Sequence, residues 1–175
     1  MIMVKQILNF ILVIIFSILI AGIYGIIHDQ ITYSISNEYY TLFKFNQFGI
    51  EHLKLNTRIK VGIVGFLATW WVGLFLGIIY ALISLFINSD KILKITLKSI
   101  MLNMLITIFF GISGFFFGYI FLKPETIHWY IPSGTKNIQS FINVGSIHNF
   151  GYIGGLVGLI FGIAYQIKTS KKNLI

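Results

Sequence analysis

The chain has no cysteine in its 175 residues, which excludes disulfides, cysteine-ligated zinc, iron–sulfur clusters and thiol redox relays. Charge is scarce as well. Only 10% of the residues are Asp, Glu, Lys or Arg, against 57% that are hydrophobic, a balance outside the range of soluble globular domains. Also missing are a nucleotide-binding loop, a catalytic motif and a clear metal-ligand spacing, so the sequence names no reaction and assigns no cofactor. Acids are the rarest charged class, five against 13 basic residues, for a formal net charge of +8. The basic residues lie at the ends of apolar stretches and do not cluster on one soluble face, which argues against nucleic acid as a partner. Lys91, Lys94 and Lys98, and Lys168, Lys171 and Lys172, are placed to meet anionic headgroups at on the order of 1 kcal/mol each. All but one of the basic residues are lysine, a bias associated with AT-rich bacterial coding.

What the chain does have is four uncharged apolar stretches, between Lys5 and Asp29, Lys60 and Asp90, Lys98 and Lys123, and Lys136 and Lys168. Each reaches the roughly 20 residues that a helix needs to cross about 30 Å of hydrocarbon, and a helix is the open segment that satisfies its own backbone in lipid. The expected fold is an all-α membrane protein of one polytopic domain, 1–175, with spans at about 7–27, 61–87, 100–122 and 149–167. The first stretch exceeds the about 7 to 15 residues of a signal-peptide core and lacks a small-x-small site around Ala21 and Gly22, so a retained anchor is expected. Four spans put both termini on one side. The terminal segments and the short middle loop carry seven lysines, against six basic residues in two much longer loops, a density that places both termini in the cytoplasm of an inner membrane.

The strongest pattern is one of small residues. Gly65, Thr69, Gly73, Gly77 and Ala81 recur every four positions in the second span, on one narrow helix face. Ser17, Ala21 and Gly25 repeat the spacing in the first span, Gly114 and Gly118 in the third, and Gly154, Gly158 and Gly162 in the fourth. Such stripes let helices approach closely in lipid, either within one glycine-rich bundle or against a second copy, a membrane partner or a pore lumen. The span interiors carry no Asp, Glu, Lys or Arg, which disfavours coupled transport. Asn103, Thr107, Ser113 and Gln166 are expected to bond across helices at about 0.6 kcal/mol apiece. Val72–Leu82 resembles Val157–Ile167 in the second helices of two successive hairpins, consistent with a parallel hairpin repeat.

The two outer loops, about 30 and about 27 residues long, exceed the usual length of structureless connections. In the first, Ser36 or Asn37 is placed to cap a short helix whose aromatics suit the headgroup layer, and Ile31, Tyr33 and Ile35 alternate with polar residues at a strand-like period. All four histidines, His28, His52, His128 and His148, and four of the five acids fall on this outer side. His28 and His148 occupy the outer ends of the first and fourth spans and are expected within reach of one another, as candidate metal ligands with Asp29 fixing a ring tautomer. Zinc, copper, haem, a quinone or a lipid headgroup could use such a cluster.

The run His28-Asp29-Gln30-Ile31-Thr32-Tyr33-Ser34, followed by Glu38-Tyr39-Tyr40 and by His148-Asn149-Phe150-Gly151-Tyr152, resembles a group of uncharacterised bacterial four-helix integral membrane proteins. The resemblance implies a bacterial membrane source, makes the outer loops the distinctive part and transfers no catalytic residue. The expected role is an accessory or interaction subunit without enzymatic activity, with an outer-face site for metal, haem, quinone or lipid as the alternative and a small passive pore as a third.

Overall fold

The computed structural model describes residues 2–87 and 91–172. Among them are four helices long and apolar enough to cross a membrane: α1 (Ile2–Ile35), α3 (Thr57–Leu85), α4 (Ile92–Phe121) and α5 (Ile138–Lys172). The first loop carries a π-helical turn, Tyr39–Lys44, that runs into the one-turn α2 (Phe45–Gln47). The fold is all-α, as the apolar runs require.

The four helices form two antiparallel pairs, α1 with α3 and α4 with α5, and the glycine stripes are the seams. Gly65 lies so close to Gly25 that a Cβ on it would come 2.6 Å from the Gly25 carbonyl carbon and 2.9 Å from the Ile26 nitrogen. Further down the same seam Gly73 meets Ser17 and Ala21, and Gly77 meets Ser17. Thr69 keeps its hydroxyl within α3, donating to the Gly65 carbonyl at 2.7 Å, while Ala81 is fully buried. In the second pair Gly114 and Gly118 take Ser146, Gly154 takes Phe110, and Gly158 takes Asn103. The matched glycines Gly73 and Gly158 thus both face the first helix of their own pair. The parallel between the segments stops at Tyr80, which is 1% exposed and reaches across to Gly162, whereas Tyr165 is half-buried.

The pairs touch mainly near their two ends. At the end holding the chain termini, Tyr80 packs with Val13 and Ile100, its hydroxyl donates to the Asn103 side-chain oxygen at 3.3 Å, and Gln166 donates to the Tyr80 carbonyl and to Thr96 Oγ1. At the opposite, loop end, Tyr39, Tyr40, Phe45, Val61, Phe141 and Val144 form one buried cluster.

The boundaries differ from those read off the sequence. The spans expected at 7–27, 61–87, 100–122 and 149–167 are longer helices, and the largest differences are at the loop ends of α1 and α5 and at the start of α4. Polar residues that look like a helix end are satisfied inside the helix: Thr32 Oγ1 donates to the His28 carbonyl and Ser34 Oγ to the Gln30 carbonyl. The strand-like alternation at Ile31, Tyr33 and Ile35 is therefore the last turn of α1. Ser36 accepts the Tyr39 amide as an end cap, but Tyr39, Tyr40 and Phe45 are buried in the protein core and do not face outward as interfacial anchors. Asp29, expected to close its span, lies six residues inside α1 and is 3% exposed. The carboxylate is held by His28 beside it and by His148 across the bundle, in place of the water that an exposed one would have.

Glu38 ties the two loops together. Its Oε1 accepts the Lys136 amide and its Oε2 the Asn137 amide, each at 2.9 Å, at the N-terminus of α5 where orphan amides and the helix dipole favour an anion. The Asn137 and Lys136 amides hold the Glu38 carboxyl below its ordinary value of 4.5. A depressed carboxyl contributes stability above its unfolded pKa and loses it as pH falls through the folded one. Acidification below about 4.5 should therefore loosen this tie. Hydrogen exchange at Lys136 and Asn137, compared with a Glu38→Gln variant at each pH, checks it: the two proteins should converge in acid and differ at neutral pH.

Candidate metal centre

α1 brings His28 and Asp29 to the loop end of the bundle, and α5 brings His148. Asp29 lies six residues before the end of α1, about 9 Å, and His148 ten residues after the start of α5, about 15 Å. Both positions are inside helices, at a common level, and they join one helix pair to the other.

Asp29 is the centre of the group. Its Oδ1 lies 3.0 Å from His28 Nδ1 and 3.5 Å from His148 Nε2, and one ligand atom from each of the three residues lies within 4.8 Å of the others. The two imidazoles meet edge to face with ring centres 4.8 Å apart. Tyr24 packs on His28 at 5.3 Å and Tyr39 stacks on His148 at 5.1 Å with 24° between planes, so both rings are held.

The hydrogen bonds fix where charge is missing. His148 Nδ1 lies 2.8 Å from the Val144 carbonyl. A carbonyl only accepts, so Nδ1 carries the hydrogen. The neutral ring then aims the lone pair of Nε2 at the Asp29 carboxylate. Two lone pairs facing each other at 3.5 Å call for a cation between them, either a proton or a metal ion. An Nδ1–H bonded to a backbone carbonyl is also the arrangement that orients histidine as an Nε2 metal ligand.

The surroundings leave room for an ion and not for a macrocycle. Imidazoles on opposite faces of one iron, with metal–nitrogen bonds of about 2 Å, would hold their ring centres about 6 Å apart, farther than found here. Tyr40 is fully buried behind the group and pairs with Thr32 Oγ1 at 2.5 Å. Burial raises the Tyr39 and Tyr40 phenols, with the Asp29 charge adding to both, so they remain neutral donors or acceptors. Lys44 lies among Tyr39, Phe43 and Phe48, with its ammonium 5.2 Å from the Phe43 ring centre, and donates to Gln47 Oε1 at 2.9 Å. Burial lowers its pKa, and the charge of Asp29 opposes that shift.

Of the residues singled out in the sequence, His28, Asp29 and His148 are brought together. His52 and His128 are exposed, as are Glu51 and Glu125, and they do not join the group. Tyr39 stood out in the sequence only within the Glu38-Tyr39-Tyr40 run, with nothing to tie it to His148, and the Val144 carbonyl carried no signal. Comparison with protein families, curated proteins and solved structures gives no match. Four apolar helices of membrane-spanning length define the class, a multi-pass membrane protein.

Proposed function

We propose that this is a non-enzymatic membrane protein that holds one divalent transition-metal ion between its two helix pairs, with His148 Nε2, a His28 ring nitrogen and the Asp29 carboxylate as ligands. The observation that carries the reading is the approach of His148 Nε2 to Asp29 Oδ1 at 3.5 Å, with a second imidazole converging on the same oxygen. Two imidazoles and a carboxylate suit zinc and its first-row neighbours. In a tetrahedral zinc site with bonds of about 2.0–2.1 Å the ligand atoms stand about 3.3 Å apart, so two contacts are already near that spacing and the widest must close by about 1.5 Å on loading. The competing arrangement is a proton on His148 Nε2, with His28 Nδ1–H donating to the same Asp29 oxygen.

The lysine density supports an orientation with both termini in the cytoplasm of a bacterial inner membrane, which places this centre near the outer surface. The accessory-subunit reading drew on glycine faces open to a partner. The stripe glycines named above pack inside the chain, while the adjacent Gly151 and Gly155 of α5 have open or nearly open space beside them, so a glycine face for a partner is confined to that stretch.

Metal analysis of protein purified without chelator, then stripped and reloaded with Zn2+ or Co2+, tests the proposal. One equivalent should bind in the native chain and none in a His28→Gln/His148→Gln variant. Retention of folded protein with no metal at any concentration would sink the metal reading and leave a proton-bridged His–Asp pair.

A further inference from the structure

A second polar site lies at the same end of the bundle, at a cavity of about 430 Å³ where the last turn of α1 meets the starts of α3 and α5. Its lining includes Tyr33, Ser34, Glu38, Arg58, Asn137 and Ser140. Arg58 is the single arginine of a chain whose other basic side chains, histidine aside, are lysines. It is held firmly. Nη1 donates to the Gln30 carbonyl at 2.8 Å and to Gln30 Oε1 at 3.2 Å, Nη2 donates to Ser34 Oγ at 3.1 Å, and the guanidinium carbon lies 4.5 Å from the Tyr33 ring centre.

Three of the five N–H groups are thereby used. Nε–H and one Nη2–H have no partner among the described residues, and the Nε–Nη2 edge of a guanidinium presents two donors side by side. That edge matches two oxygens of a phosphate, a fit a lysine ammonium cannot reproduce. Glu38, on the same cavity, is fixed by the two α5 amides, and each of its oxygens keeps a lone pair for a further donor. Arg58 lies in the first turn of a membrane-spanning helix, the depth of the lipid headgroups. A volume of about 430 Å³ lies within the roughly 300–1,000 Å³ of small-molecule sites.

From this juxtaposition of a fixed guanidinium edge and a fixed carboxylate in one cavity at headgroup depth, we infer that the cavity binds a zwitterionic phospholipid headgroup with a primary ammonium, of the phosphatidylethanolamine class. The phosphate takes the Arg58 edge and the ammonium donates to Glu38. A trimethylated choline headgroup presents the same phosphate but has no N–H for the carboxylate. This site is separate from the metal centre and does not depend on it.

The test is lipid retention by the full chain in mild detergent, followed by native mass spectrometry with phosphatidylethanolamine or phosphatidylcholine of matched acyl chains. The native protein should retain the ethanolamine lipid in preference. Arg58→Lys should weaken that retention about tenfold, because one charge-assisted bond of the fork is lost. Glu38→Gln should abolish the preference between the two lipids while leaving the phosphate contact. Equal retention of both lipids by the native chain, or an Arg58→Lys protein that retains the ethanolamine lipid as well as the native one, would overturn the inference. Displacement of the lipid by water-soluble phosphoethanolamine at matched concentration would overturn the membrane as the source of the ligand.

Discussion

Zinc at a hundredfold excess over its dissociation constant is expected to raise the melting temperature of the detergent-solubilised protein by roughly 5–10 °C. A ligand that binds only the folded chain at that excess stabilises by about 2.7 kcal/mol, and each kcal/mol moves the midpoint by roughly 2–4 °C for a domain of this size. The unfolded chain cannot compete, because His148 lies 119 residues from Asp29 and the three ligands converge only when the two pairs dock. His148→Ala should remove the zinc-dependent shift entirely, since it deletes the ligand whose tautomer the Val144 carbonyl fixes. Asp29→Asn should weaken binding about a hundredfold or more: the amide keeps the shape but not the anion that lies against both rings. Differential scanning fluorimetry of the stripped protein with and without Zn2+ measures all three. A shift of the same size in His148→Ala would place the metal elsewhere.

Gly65→Leu is expected to cost more than about 3 kcal/mol, beyond the usual range for overpacking, and to leave little folded protein. The reason lies in what the new side chain would meet. At Gly65 the nearest atoms are the backbone of Gly25 and Ile26, which have no rotamer to turn aside, so α1 and α3 must part along their length. Even Gly65→Ala places a Cβ inside the closest approach that packed carbons tolerate. Phe75→Leu is the control. Phe75 is on the same helix with 59% of its surface exposed on the lipid-facing side, and its change should shift thermal aggregation by less than about 1 kcal/mol, because hydrocarbon replaces the lost contacts. Similar melting of the two variants would mean that the seam is not where the pair is held.

The four helices were legible because twenty uncharged residues in a row have few other homes, and the seams were legible because the spacing of Gly65, Thr69, Gly73, Gly77 and Ala81 reports a face directly. The helix ends were not. In a soluble protein, the run His28 to Ser36 would mark an exit to water; here the same residues bond back to helix carbonyls and to groups across the bundle. The start of α5 misled for the same reason. Gln139 donates to the Gly118 and Leu122 carbonyls of α4, and Ser146 to the Gly114 carbonyl, so polar side chains that resemble a loop serve as helix contacts. The Asn137 cap, with Oδ1 accepting the Ser140 amide at 3.0 Å, is the one local signal that marks the true start. At the metal centre, the shared depth of His28 and His148 followed from counting along helices. The sharing of one Asp29 oxygen by both rings did not, because it depends on how the two pairs dock, which no local pattern encodes.

The division into two hairpins also sets an order of events during synthesis. α1 and α3 leave the ribosome first and can close their glycine seam as a unit, but His28 and Asp29 then wait at the edge of that unit for a ligand still more than sixty residues from being made. A carboxylate away from water is costly without its partners, so Asp29 is expected to keep only His28 beside it until α5 docks and His148 arrives. Closure of the His28–Asp29–His148 group thus waits on the docking of α5, and a chain truncated before α5 is expected to leave the Asp29 carboxylate without its partner across the bundle.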